Sequence, residues 1–141
     1  MLNQVQHDNK NYMNPKDAKI LLIEDEAMNI AMYSLKFRLE GLNLITAATA
    51  AEGLRLVFEL KPNLLLLDLR LDDGIDGFEV LQKIKGDDAV KNIPVYLLSN
   101  VNEKGNREKG VAMGAVDFIS KVNSTPDEVV KIVKRKLESL V

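Results

Sequence analysis

The sequence predicts an α/β fold: five parallel strands alternating with five helices, in one sheet covered by helices on both faces. Three observations predict it. Short apolar runs that do not alternate recur at 20–23, 64–67 and 94–98, and such runs fit strands buried on both faces. Segments with helical spacing of apolar residues separate them. The chain has 141 residues, enough for one domain of ordinary size.

Taken in order, residues 1–17 are rich in Asn and Gln, carry neither period, and read as a mobile polar tail ahead of a domain at 18–141. Ile20-Leu21-Leu22-Ile23 is the first strand. Met28, Ala31, Met32, Leu35 and Leu39 follow at i, i+3, i+4, i+7 and i+11, which predicts a first helix burying that stripe and ending at Gly41. Leu42 to Thr46 is a second strand. Leu54, Val57 and Phe58 mark the next helix, closed by Pro62. Leu64 to Leu67 is the third strand, and Phe78, Leu81 and Ile84 mark a helix closing near Gly86. Pro94 to Leu98 is the fourth strand. A helix from about Glu103 to Met113 carries two internal glycines and little apolar surface. Ala115 to Ile119 is the fifth strand. Thr125-Pro126-Asp127-Glu128 is a capping box with proline at the first helical position, opening a helix that buries Val129, Ile132, Val133, Leu137 and Leu140.

Composition narrows the chemistry. Nineteen basic and twenty-one acidic residues give a net charge of −2, which argues against nucleic-acid binding by bulk charge. There is no cysteine, and the one histidine is His7, so thiolate zinc sites, disulfides and Ser-His-Asp triads are excluded as readings. No apolar run approaches the ~20 residues of a membrane span, and the expected location is the cytoplasm. Reactivity must then come from carboxylates, lysine, hydroxyls and a metal.

In an open parallel sheet, ligands sit beyond the carboxyl ends of the strands. Those ends carry Glu24-Asp25-Glu26, Asp68, Ser99 and Lys121. Two unit charges 4 Å apart repel by roughly 4 kcal/mol at an effective dielectric of 20, so carboxylates gathered there need protons or a cation. An all-oxygen cluster suits Mg²⁺. An oriented carboxylate freed of repulsion is a competent nucleophile toward a phosphoryl group, with a lysine and a hydroxyl supplying electrostatic help.

The stretches ILLIEDE at 20–26, KPNLLLLDLRL at 61–71, DGFEVLQKIK at 76–85, IPVYLLSN at 93–100 and GAVDFISK at 114–121 resemble the receiver domain of two-component response regulators. The resemblance covers residues 18–141. It implies a flavodoxin-like (βα)5 doubly wound sandwich with strand order 2-1-3-4-5. It further implies that Asp68 accepts a phosphoryl group from a sensor histidine kinase or a histidine phosphotransfer protein. Glu24, Asp25, Asp68 and the backbone carbonyl of Arg70 would hold Mg²⁺. Lys121 would pair with the phosphoryl group, and Ser99 would move toward it while the ring of Phe118 turns inward. A downstream partner would read that switch on the face of helix four, strand five and helix five, with Val116, Lys131, Lys134, Arg135 and Glu138 contributing. The expected form is a stand-alone receiver, a monomer or weak dimer, binding neither nucleic acid nor membrane.

Three departures from the family pattern stand out. The loop LRLDDGIDG after Asp68 lacks the usual proline, is one residue longer, and adds Asp72 and Asp73. Val122 follows Lys121 where the family has proline. Glu24 stands where Asp is commoner. Two other classes compete with the phosphoacceptor reading. One is a receiver-like binding module that works without phosphorylation. The other is an aspartate-nucleophile phosphatase, against which Arg70 occupies the place of a second acid.

Overall fold

Strand runs buried on both faces require a layer of helices on each side, and that is the architecture. The computed structural model describes residues 14–71, 74–100 and 105–140. A 3-10 turn at Pro15–Asp17 leads into β1 (Lys19–Ile23), α1 (Ala27–Leu39), β2 (Asn43–Ala47), α2 (Ala50–Leu60) and β3 (Leu64–Leu67). Then come α3 (Gly77–Lys85), β4 (Val95–Ser99), α4 (Asn106–Ala112), β5 (Asp117–Ser120) and α5 (Pro126–Ser139). All pairings are parallel and the sheet order is β2-β1-β3-β4-β5, as the resemblance implies.

Because side chains alternate across a strand, each apolar run feeds two cores. Leu21, Ile23, Leu65, Leu67, Val95 and Leu97 pack with Val57, Val80, Leu81 and Ile84 under α2 and α3. Ile20, Leu22, Leu64, Leu66, Tyr96 and Leu98 pack with Tyr33, Phe37, Val129, Val133 and Leu137 under α1 and α5. The capping box at Thr125 and Glu128 forms as the sequence predicts. Boundaries shift by one or two residues, and one shift matters: Ser99 is the last residue of β4 and does not lie beyond it.

The turn at Pro15–Asp17 falls inside the segment assigned to the tail. Pro15 is buried, and the side chain of Asn14 accepts the N–H of Lys16 at 3.1 Å. Residues 1–13, Asp72, Asp73 and the predicted start of the fourth helix at Glu103 lie outside the described residues.

The expected face of α1 is wrong by half a turn. Met28, Met32, Leu35 and Leu39 are 85, 41, 49 and 70 % exposed, and Ala31 is exposed with them. Tyr33 and Phe37 are buried instead. The helix has apolar residues on two sides, so periodicity alone cannot choose between them. The aromatic pair, spaced i, i+4, removes more area from water than the methionines, and this decides the packing. The flank toward α5 is fixed by charge: Lys36 pairs with Asp127, and Lys134 bonds Glu40 at 3.1 Å. In α2, likewise, Val57 is buried while Phe58 stays 39 % exposed.

Glycine is required at two points, one of them beside Asp68. Gly41 ends α1 with φ +74°, in the left-handed region. Gly77 lies so close to the strand-three exit that a Cβ would strike the carbonyl oxygen of Asp68 and Cα of Leu69. Its N–H donates to the Leu69 carbonyl at 2.8 Å, so the start of α3 props the backbone that carries Asp68.

These assignments predict urea-denaturation results. Phe37→Ala costs about 3–5 kcal/mol, whereas Leu35→Gln, on the face first expected to be core, stays within about 0.5 kcal/mol. Gly77→Ala costs about 1–3 kcal/mol through overpacking against residues 68 and 69. Equal losses at Phe37 and Leu35 would reverse the orientation of α1.

Candidate functional site

At the carboxyl edge of the sheet the ladder carries three charged residues inward. Glu24 extends β1, its N–H donating to the Ala47 carbonyl at 3.0 Å. Asp68 extends β3, its N–H donating to the Ile23 carbonyl at 3.1 Å. Lys121 extends β5, its N–H donating to the Ser99 carbonyl at 3.0 Å. Backbone pairing therefore fixes where each side chain starts, and the three meet. Glu24, Asp68 and Ser99 are 0, 5 and 1 % exposed and are the buried polar residues among those described.

Lys121 bridges the two acids. Its Nζ pairs closely with Glu24 Oε1 and donates to Asp68 Oδ2 at 2.9 Å. The second oxygen of each carboxylate accepts a backbone N–H: Glu26 on Glu24 Oε2 at 3.0 Å, and Arg70 on Asp68 Oδ1 at 3.1 Å. Burial pushes the Glu24 carboxyl above its usual pKa, against the pull of the Lys121 and Glu26 hydrogen bonds. Burial also opposes the charge on Lys121, but its bonds to Glu24 and Asp68 prevail and hold its pKa above that of free lysine. The absence of proline at Val122 therefore does not displace Lys121 from the acids.

Each of Glu24, Asp25 and Asp68 offers an oxygen, and these oxygens lie within 4.8 Å of one another. That spacing and hard-oxygen chemistry fit a small divalent cation. A cleft of about 330 Å³ opens onto Asp25 and Asp68, lined also by Glu26, Arg70, Ser99, Asn100 and Lys121. Glu26 was placed at the strand end by the sequence but given no role, and Asn100 was not singled out. Their adjacency to Asp25 and Ser99 at strand ends was the available signal.

Phe118 stands apart from the cleft. Its ring is already within the core under α2 and α3, 8 % exposed. Of the residues assigned to the output face, Lys134 instead bonds Glu40 of α1, while Val116 and Arg135 line a groove beside β5.

A family model for the response regulator receiver domain matches residues 20–134. The chain belongs to this family. Among its relatives, the receiver is 33 % identical over 104 residues to the response regulator PleD of Caulobacter vibrioides, covering 74 % of this chain and 23 % of PleD. It is 30 % identical over 107 residues to the polar-differentiation response regulator DivK of Brucella anthropi, covering 76 % of this chain and 86 % of DivK. It thus spans under a quarter of PleD and most of DivK. A CheY-like receiver domain protein from Methanospirillum hungatei JF-1 superposes with a TM-score of 0.77 at 26 % identity, covering 85 % of this chain and 93 % of the other. The receiver domain of sensor histidine kinase PA1611 from Pseudomonas aeruginosa PAO1, with magnesium coordinated in its active-site cleft, has the same fold: TM-score 0.75, 23 % identity, 85 and 97 % coverage. No helix among the described residues is long and apolar enough to cross a membrane.

The bridge makes a thermodynamic prediction. Lys121→Met strands a buried carboxylate and costs about 3 kcal/mol at neutral pH. A group whose pKa is raised by folding favours the folded state below that pKa, and this contribution fades as pH rises through it. The loss in Lys121→Met therefore shrinks on acidification as Glu24 takes up a proton, which unfolding curves at several pH values measure directly.

Proposed function

We propose that this receiver is a phosphoacceptor in a two-component relay, with Asp68 taking the phosphoryl group from a phosphohistidine. The carrying observation is the Asp68 carboxylate, buried except toward the cleft, beside two further acids and under the ammonium of Lys121. In the transfer a carboxylate oxygen forms a P–O bond while the donor's P–N bond breaks, the electron pair leaving with the imidazole nitrogen. Glu24, Asp25, Asp68 and the Arg70 carbonyl would hold Mg²⁺, which supplies charge neutralisation on the transferring group. The Arg70 N–H orients Asp68, and Lys121 is placed to turn from the carboxylate to a phosphoryl oxygen. Ser99 and Phe118 form the switch, and the surface of α4, β5 and α5 passes it to a partner protein.

The histidine donor has to lie over the mouth of the cleft, and the outer side of α1 suits it. Met28, Met32, Leu35 and Leu39 follow the 4-3-4 spacing of a helix-packing seam, and the seam begins two residues from Glu26 on the cleft rim. This accounts for apolar side chains left in water. The altered loop after Asp68 and Val122 in place of proline favour a second reading, a module acting without phosphorylation. In that case Asp68→Asn keeps partner binding intact.

Incubation with acetyl phosphate and Mg²⁺ is expected to add one phosphoryl group by intact mass, and none to Asp68→Ala. Lack of modification under all small donors and histidine donors overturns the phosphoacceptor reading. As pH falls through the raised pKa of Glu24, a carboxylate ligand is lost, so Mg²⁺ affinity by NMR titration declines toward acid. Met32→Gln with Leu35→Gln slows transfer from a histidine donor about tenfold or more, leaving the acetyl phosphate rate unchanged. Equal effects on both donors dismiss the seam as a docking surface.

A further inference from the structure

Beside β5 lies an open groove of about 580 Å³, larger than the cleft at Asp68. β5 is the last strand of the sheet, so its outer edge forms the floor, with α4 and α5 as walls. At the middle of that edge both backbone groups of Phe118 are held by side chains. The N–H donates to Asp117 Oδ1 at 2.7 Å, and the carbonyl accepts from Arg107 Nη2 at 3.0 Å. Arg107 Nε also pairs with Asp117 at 3.2 Å, closing a clasp over the edge. Side chains here stand where a sixth strand would bond.

The clasp is built to yield. Arg107 and Asp117 are 62 and 47 % exposed, and an ion pair in water contributes little. The walls carry charge of one sign: Arg107, Arg135 and Lys136 face a single acid, Asp117, in a chain whose net charge is −2. Neither Arg135 nor Lys136 has a carboxylate partner among the described residues. Tyr96 and Ile132 give the groove an apolar lining between the charges.

We propose that this groove receives an extended acidic segment of a partner protein, which adds to the free edge of β5. Its backbone takes over the Phe118 N–H and carbonyl, and its carboxylates replace Asp117 on Arg107 and reach Arg135 and Lys136. The proposal rests on the reading of α4, β5 and α5 as the output surface and adds the chemistry and conformation of what binds there. It also couples the site to the signal, because the residue whose backbone is taken over is Phe118.

The test is an NMR titration of the full chain with an alternating Glu-Val octapeptide. Amide shifts are expected to concentrate at Phe118 and Ser120, with binding weakened about tenfold by Arg135→Glu with Lys136→Glu and by a rise in salt. An alternating Lys-Val octapeptide, and a Glu-Val octapeptide N-methylated at alternate residues, are expected to leave those amides unmoved. Shifts scattered elsewhere, equal binding of the methylated peptide, or preference for a helical acidic peptide of the same composition overturn strand addition. The same titration on Asp68→Ala separates the two readings: groove binding that persists there stands even if the phosphoacceptor assay fails.

Discussion

One ammonium group between two buried carboxylates organises this molecule. Parallel pairing of β1, β3 and β5 through the sheet brings Glu24, Asp68 and Lys121 to one edge, and the sheet cannot form in this register without bringing them there. Unpaired, two such acids out of water would oppose folding. Lys121 makes the arrangement tolerable while leaving it two positive charges short of three acids. The site is thus held together and left with excess negative charge by the same interaction, which suits a small divalent cation.

Most of the fold was legible because the runs of the three central strands are buried on both faces and end abruptly in a polar residue. Asp68 after Leu64–Leu67 and Glu24 after Ile20–Ile23 could be assigned to one edge from that pattern alone, and the family resemblance then supplied their roles. The geometry of Lys121 was not legible. No spacing says that a lysine after the last strand reaches back to acids following the first and third. Arg107 was hidden for a different reason: α4 is short and polar, and its sequence carries little packing signal.

α1 shows where a period fails as a guide. Its sequence supports two apolar stripes on opposite sides, and the stripe with the neater spacing is the exposed one. Burial went to Tyr33 and Phe37, whose rings reach across to the strands, while the charges of Lys36 and Glu40 were drawn to α5. A helix apolar on both sides serves one side for folding and leaves the other for contact, and only tertiary structure says which is which.

The connection between β3 and α3 is anchored at both ends, by the Arg70 N–H on the Asp68 carboxylate and by the Gly77 N–H on the Leu69 carbonyl. Those two bonds hold the Asp68 carboxylate and the start of α3 at either end of the connection. Lengthening such a connection costs only a slowly growing closure entropy. A change of length in this connection accordingly carries a small entropic cost and leaves both anchoring bonds beside Asp68 available.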